Sequence, residues 1–388
     1  MQKKDYIFPA AYHQQQGEAP ILFLDIETTG FQRNTTILYL IGCGFYENGL
    51  FHVIQWFNDD AVSETEMLLS LQSFLEAKSP IIFSYNGDSF DLPYLNYHYS
   101  LHDIPFDITK YNSFDFYKAL QPFQSLLGLP QGRQKDWEGF LGLEREDIYE
   151  GGELIAVYKQ YLKNKDDSLE HCLLLHNLED LRGMETLLPL CSYHQLLQAD
   201  FSFGEMGYNS CESFPMSDSV TFFCTLNKKI PKKLTLDPFL FEENSMAGAV
   251  YAHDYQLSLT MPIYDTTFKY FYSDYKNYYY LPEEDMAVHK SIGCYVDASH
   301  RKKASPSNCY QKKEGLYLPL LPDKSYRNIH TETKKYCSFL TLYKQNYKDK
   351  ISYINLEQLY KENQTILPLY LSDWMKQTFM AYIRTHAS

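Results

Sequence analysis

Residues 21–30 read ILFLDIETTG. Four apolar residues lead into Asp25 and Glu27, and a Thr-Thr-Gly stretch follows. The short apolar run predicts a buried strand over 21–27. A strand alternates its faces, so Ile21, Phe23, Asp25 and Glu27 share one face and Leu22, Leu24 and Ile26 the other. Two carboxylates ending an apolar strand are costly to desolvate unless something compensates, and a divalent cation does so directly. A strand simply emerging into solvent at Asp25 fits D-x-E taken alone equally well.

Working outward, strand-like segments cover about 36–46 and 50–57, joined at Glu47-Asn48-Gly49 by a hairpin turn. Residues 63–76 place Met67, Leu68, Leu71, Phe74 and Leu75 at helical spacing. Ser79-Pro80 precedes IIFSY, another short buried strand, and a helix is expected near Ser89. A further strand and helix are expected in 107–125, a helical region over 146–164 broken at Gly151-Gly152, and a last helix over 168–197. Three antiparallel strands followed by alternating helices and strands define an α/β domain.

Two further acidic motifs lie in this half. In SYNGDSFDLPYL, the strand delivers Asn86 to a strand-to-helix turn, with Gly87 permitting tight geometry and Asp91 in the first helical turn. Asp91 could merely favour the helix dipole, although Asp88 or Ser89 suits the capping position better. In HNLED, His176 and Asp180 are four apart and share a helical face, with Glu179 expected on a solvated face.

Together the three motifs resemble the proofreading-type 3′–5′ exonucleases of the ribonuclease H-like superfamily. YNGDSFD is similar to the second exonuclease motif of family B DNA polymerases, and HNLED resembles their third. The chain looks closest to bacterial stand-alone exonuclease-like proteins of the YprB type, a resemblance that KDWEGFLGLEREDIYEGGELIAVYKQYL shares and that covers about 20–195. It implies a ribonuclease H-like mixed sheet flanked by helices. It also implies a 3′–5′ exonuclease that holds two Mg²⁺ or Mn²⁺ ions and releases nucleoside 5′-monophosphates from the 3′ end of single-stranded DNA or RNA. By this resemblance Asp25 bridges the ions, Glu27 and Asp180 complete the first site, and Asp91 holds the second through water. His176 positions the attacking water, and Thr28, Asn86 and Phe90 contact substrate. Three residues separate His176 from Asp180, the register of the Tyr-type branch rather than the His-type branch, which has four.

Past residue 200 the texture changes. Of 35 tyrosines, 21 lie in 201–388. Segments such as FKYFYSDYKNYYYLP have strand-like character, and a helical pattern is expected from about Tyr326 to the end. The expected organisation is an N-terminal extension (1–19), an exonuclease domain (20–198) and a second, Tyr-rich α+β region (199–388), with the boundary near 198–205. Basic pairs Lys228-Lys229, Lys232-Lys233, Lys312-Lys313 and Lys334-Lys335, with Arg301-Lys302-Lys303, are interleaved with Tyr270, Tyr272, Tyr275, Tyr278, Tyr279 and Tyr280. Cations among aromatic faces suit a single-stranded nucleic-acid platform; a Tyr-rich β region with ordinary surface lysines is the plainer reading.

The formal net charge is -14 over 388 residues, against a simple electrostatic nucleic-acid binder. That charge is uneven: residues 1–200 carry 13 Lys+Arg and 29 Asp+Glu, whereas 201–388 carry 22 and 20. The eight cysteines form no C-x-x-C pair, and neither a secretory signal nor a membrane span is evident, so a cytoplasmic location with reduced thiols is expected. P-loop, serine-esterase and zinc-peptidase motifs are absent. Competing readings are a catalytically weak or inactive nucleic-acid-binding protein on the same scaffold, and a structure-selective endonuclease.

Overall fold

The computed structural model describes residues 1–12, 19–147, 149, 151–209, 218–241, 246–320, 340–362 and 366–386. It comprises two units, Met1–Cys191 and Ser192–Ser388. The first is built on a six-stranded sheet of order β1-β4-β3-β2-β5-β6. Its strands are β1 (Gln2–Pro9), β2 (Ile21–Thr28), β3 (Leu38–Glu47), β4 (Leu50–Phe57), β5 (Ile81–Ser84) and β6 (Ser113–Asp115). β1 through β4 pair antiparallel, whereas β2–β5 and β5–β6 are parallel, giving a mixed sheet. The β3–β4 turn has both Asn48 and Gly49 at positive φ (53° and 76°), as a tight hairpin with right-twisting strands requires.

Helices flank the sheet. On one face, α1 (Glu64–Lys78) and α2 (Asp91–Leu101) bury Met67, Leu68, Leu71, Leu75, Tyr94 and Leu95 against Leu22, Leu24, Ile26 and Ile41. α3 (Phe116–Gln124) and α4 (Gln134–Leu141) follow β6. A second cluster joins Tyr39, Leu40 and Phe57 of the sheet to α5 (Gly151–Asn164) and α6 (Asp167–Leu187) through Leu154, Tyr158, Leu173 and Leu174. The expected strands and helices of this half are present, with differences. Residues 2–9, expected to precede the domain, form an edge strand whose alternating burial follows its pairing with β4. The final expected helix ends at Leu187; residues 188–193 tighten into a 3-10 turn before α7 (His194–Gln198). Gly151 opens α5 rather than breaking it.

The second unit contains β7 (Phe201–Asn209), β8 (Ser219–Phe241) and β9 (Met246–Pro262) in one antiparallel sheet. Tyr193 and Gln195 belong here: the Tyr193 hydroxyl donates to the Lys232 carbonyl, and the Gln195 amide exchanges hydrogen bonds with the Lys228 backbone. β10 (Tyr264–Phe271), β14 (Tyr310–Leu320), β15 (Leu342–Tyr343) and β16 (Ser352–Asn355) form a second sheet, and β11 (Tyr278–Leu281), β12 (Met286–His289) and β13 (Lys302–Lys303) a third. The helical pattern expected from Tyr326 is corrected at Leu342–Tyr343 and Ser352–Asn355, which pair as β15 and β16; residues 326–339 lie outside the described residues, and the terminal helix covers Leu367–His386. Many tyrosines serve as packing: Phe268 stacks on Tyr353 at 4.1 Å, and Tyr272 on Tyr278 at 4.5 Å. Lys229 and Lys312 pair with Asp254 and Asp285, which dilutes the basic runs. Lys334-Lys335 lie outside the described residues. Cys43, Cys172, Cys224, Cys294 and Cys309 are free thiols.

Candidate functional site

The site forms where β2 meets α6. Asp25 pairs across the ladder with Gly42 of β3. A Cβ at Gly42 would lie 2.1 Å from Asn177 Oδ1 and 2.7 Å from Leu181, so only glycine lets α6 approach this closely. Asn177 fills the space. Its Nδ2 donates to Asp25 Oδ2 at 2.7 Å and to the Asp25 carbonyl at 3.2 Å, while its Oδ1 accepts from Gln55 Nε2 at 2.8 Å. The fully buried amide thereby fixes the rotamer of Asp25. Asn177 was not foreseen, because a polar residue beside His176 carries no signal until Gly42 lies beneath it.

Asp91 reaches the same place from α2. β5 pairs with β2 only over Ile21–Phe23, and the Ile26 N–H, beyond that ladder, donates to Asp91 Oδ1 at 3.0 Å. The turn before α2 holds Asn86 at φ 63° and packs Gly87 so tightly that a Cβ would lie 2.3 Å from Ser84 Oγ. Asp115 accepts from the Asn86 and Asp88 N–H groups and also caps α3 through Tyr117. The capping expectation for Asp88 or Ser89 is corrected. The helix begins at Asp91 after Phe90, and the Asp88 carboxylate instead binds Ser113 Oγ and Lys118 Nζ.

α6 supplies the third motif. His176 Nε2 lies 3.6 Å from Glu27 Oε1 and 3.4 Å from Asp180 Oδ2, while Nδ1 hydrogen-bonds Asp147 at 2.7 Å. The Tyr39 hydroxyl donates to Glu27 at 3.3 Å. Arg145 Nη1 contacts Asp180 Oδ1 at 2.7 Å and grips Glu138 with its other nitrogens at 2.5 and 2.6 Å. Gly183 makes room for Glu138, whose Oε1 would lie 1.9 Å from a Cβ there. Glu179 is not a solvated bystander: its carboxylate accepts from the backbone N–H groups of Glu146 and Asp147, fastening the segment that carries Arg145 and Asp147. Neither of those two partners was anticipated: the helix expected over 146–164 begins only at Gly151, and Arg145 and Asp147 precede it.

Of the expected substrate contacts, Thr28 donates to the Gly30 carbonyl, Asn86 is exposed in its turn, and Phe90 packs half-buried against Tyr94. Phe31, missed by the sequence reading, stands 88% exposed with its ring 5.9 Å from that of Phe90.

The carboxylates are electrostatically crowded. Burial, then repulsion from Asp180, Glu27 and Asp91, holds Asp25 well above the usual carboxylate range. Burial likewise pushes Glu27 up to about 7, with His176 opposing and Asp180 adding to the shift. Asp91 is also pushed up to about 7, mainly by burial, against its hydrogen bond from Ile26. Burial opposes a charge on His176, but Glu27, Asp180 and Asp147 more than offset it and raise its pKa above 6.5. The surplus of negative charge left beside Arg145 and His176 is what a divalent cation would neutralise. Donor atoms of Glu27, His176 and Asp180 lie within 4.8 Å of one another, so these residues fit a metal ion.

The mixed sheet and its acidic site define a ribonuclease H-like fold. Residues 22–191 match the family model described as RNase_H superfamily. Solved structures detected as similar include the zinc-bound E. coli exonuclease I–single-stranded DNA complex, at 12% identity and TM-score 0.29, covering 55% of each chain. Others are E. coli exonuclease I with a dA16 oligonucleotide (12%, TM-score 0.27, 55% of this chain and 56% of that one) and a product-bound exonuclease I (12%, TM-score 0.28, 91% and 73%). The chain spans about half the length of the first of these. At such TM-scores the likeness carries no argument, and the fold assignment rests on the sheet and the family match. No curated protein matches the sequence. No helix among the described residues is long and apolar enough to cross a membrane.

Proposed function

We propose that this protein is a metal-dependent 3′–5′ exonuclease of the YprB type, acting on single-stranded DNA or RNA in the cytoplasm and releasing nucleoside 5′-monophosphates. One observation carries the reading: Asp25 and Glu27 of β2, Asp91 of α2 and Asp180 of α6 converge, with Asp91 on the Ile26 N–H beside Asp25, and His176 Nε2 within 3.6 Å of both Glu27 and Asp180. Asp25, Glu27, Asp91 and Asp180 would hold two Mg²⁺ or Mn²⁺ ions, which when bound supply an activated water and stabilise the leaving 3′-oxygen.

The chain's own groups do the rest. Asn177 and the Ile26 N–H hold Asp25 and Asp91 in fixed orientation. Asp147 holds a proton on His176 Nδ1, which leaves Nε2 facing the carboxylates to accept a proton from water. That role needs the neutral imidazole, so activity rises as pH rises through the elevated His176 value. Phe31 and Phe90 offer an aromatic edge on which terminal bases stack, with Thr28 and Asn86 beside them.

One observation favours a second reading, a binding protein with weak or no catalysis. Arg145 already pairs with Asp180 Oδ1, so only Oδ2, on the His176 side, is left to meet an ion. A nuclease assay with Mn²⁺ and 5′-labelled single strands decides between them. Shortening from the 3′ end that is lost in a folded Asp25→Ala variant supports the exonuclease. Tight strand binding without cleavage supports the binder, and cleavage of a circular substrate points to an endonuclease.

A further inference from the structure

A second convergence of ligand-type side chains lies away from these carboxylates. Glu64 begins α1, and His98 and His102, four apart, occupy one face at the end of α2. Glu64 Oε1 lies 2.9 Å from His102 Nε2 and also hydrogen-bonds His98 Nδ1. The three donor atoms lie within 4.8 Å of one another, and tetrahedral zinc with bonds near 2.1 Å wants neighbours about 3.4 Å apart. Glu64 and His98 are 7% and 1% exposed.

The surroundings suit ligation. Each histidine has its remaining nitrogen held: His98 Nε2 by the Arg33 carbonyl at 2.9 Å, and His102 Nδ1 by Thr65 Oγ1 at 3.0 Å. A carbonyl accepts only from N–H, so Arg33 fixes a proton on Nε2 and leaves Nδ1 to face the carboxylate with either a proton or a metal. Metal-bound histidines are oriented in this way. The His98 ring is further locked by stacking on Tyr94 at 4.2 Å. The other oxygen of Glu64 accepts from the Leu38 N–H at 3.2 Å.

We propose that Glu64, His98 and His102 form a Zn²⁺ site, with a water at the fourth position on the more exposed His102 side. Two imidazoles and one carboxylate favour zinc over magnesium, which prefers all-oxygen shells. The ion would clip the start of α1 to the end of α2. Through the Arg33 carbonyl it would also brace the 29–37 loop, closed by the Thr29–Ile37 backbone bond, on which Phe31 stands.

The test is independent of nuclease activity. Full-length protein carrying Asp25→Asn and Glu27→Gln, which disables the carboxylate site, is stripped with chelator and titrated calorimetrically with Zn²⁺. One equivalent should bind, and Zn²⁺ should raise the melting temperature. Loss of a partner behind a ligand costs about 10–100-fold in affinity, so losing a ligand should weaken binding by about 100-fold or more. His102→Ala added to that background should show this loss while keeping its circular dichroism spectrum. Glu64→Gln, similar in size and still able to accept from Leu38, serves as the second variant. No Zn²⁺ uptake, or uptake unchanged in both variants, would overturn the proposal and leave a hydrogen-bonded triad.

Discussion

Replacing Glu27 by Gln should stabilise the metal-free protein, and the gain should depend on pH. Burial and Asp180 raise Glu27 from 4.5 to about 7. An acid whose folded pKa is raised binds more protons folded than unfolded, so the stability it contributes falls as pH rises across that window. Below about pH 4 the wild type and variant should differ little. From about pH 4.5 the wild type loses ground, and above about pH 7 the full difference is reached, about 3 kcal/mol at about 1.4 kcal/mol per tenfold change in proton affinity. Urea unfolding in EDTA, followed by fluorescence, measures this, because Trp56 and Trp137 report on the first unit. With Mn²⁺ the order should reverse, since the wild type gains binding energy that the variant has partly lost. A variant no more stable than wild type at pH 8 in EDTA would refute the idea that the carboxylates are held in repulsion for a cation.

Three other outcomes follow from the same geometry. Asp147→Asn removes the charge that helps raise His176, so the acid limb of the pH–rate profile should move to lower pH, with kcat reduced by about tenfold or more; an unshifted limb would exclude Asp147 as a positioning residue. Gly42→Ala drives a methyl into Asn177 and should cost about 1–3 kcal/mol in denaturant stability and depress nuclease activity, whereas a neutral result would show that α6 can retreat. Arg145→Met leaves the Glu138 carboxylate, 2% exposed, without its cation and should destabilise the first unit by about 3 kcal/mol in urea unfolding; wild-type stability would show that Glu138 is relieved in another way.

Much of the first unit was legible because its signals are local. The apolar run before Asp25, the Asn48-Gly49 turn and the helical spacing of 63–76 each declare an element within about ten residues. The acids of the site were legible as a set of motifs. Their supporting residues were not. Asn177, Arg145 and Asp147 are ordinary polar residues in sequence and acquire roles only when Gly42, Gly183 and Glu179 bring backbones together. β1 was overlooked because QKKDYIFP runs four polar residues into four apolar ones with no strand period; its alternating burial arises only from pairing with β4. The tyrosines of the second unit suggested a binding platform, yet an aromatic side chain is also good packing material, and sequence does not separate the two uses.

The grip on α6 comes from two very different distances along the chain. His176 and Asp147 are 29 residues apart, whereas Asn177 and Asp25 are 152 apart. The logarithmic growth of loop entropy makes the longer closure costlier by about 1.5 kcal/mol. The order of assembly this favours has Arg145 and Asp147 seated on α6 before Asp25 and Glu27 arrive. Asp180 would then meet the other acids already partnered by a guanidinium, so the repulsion is met last, by a half-site partly neutralised. Pulse-labelled hydrogen exchange showing β2 amides protected before those of α6 would reverse that order.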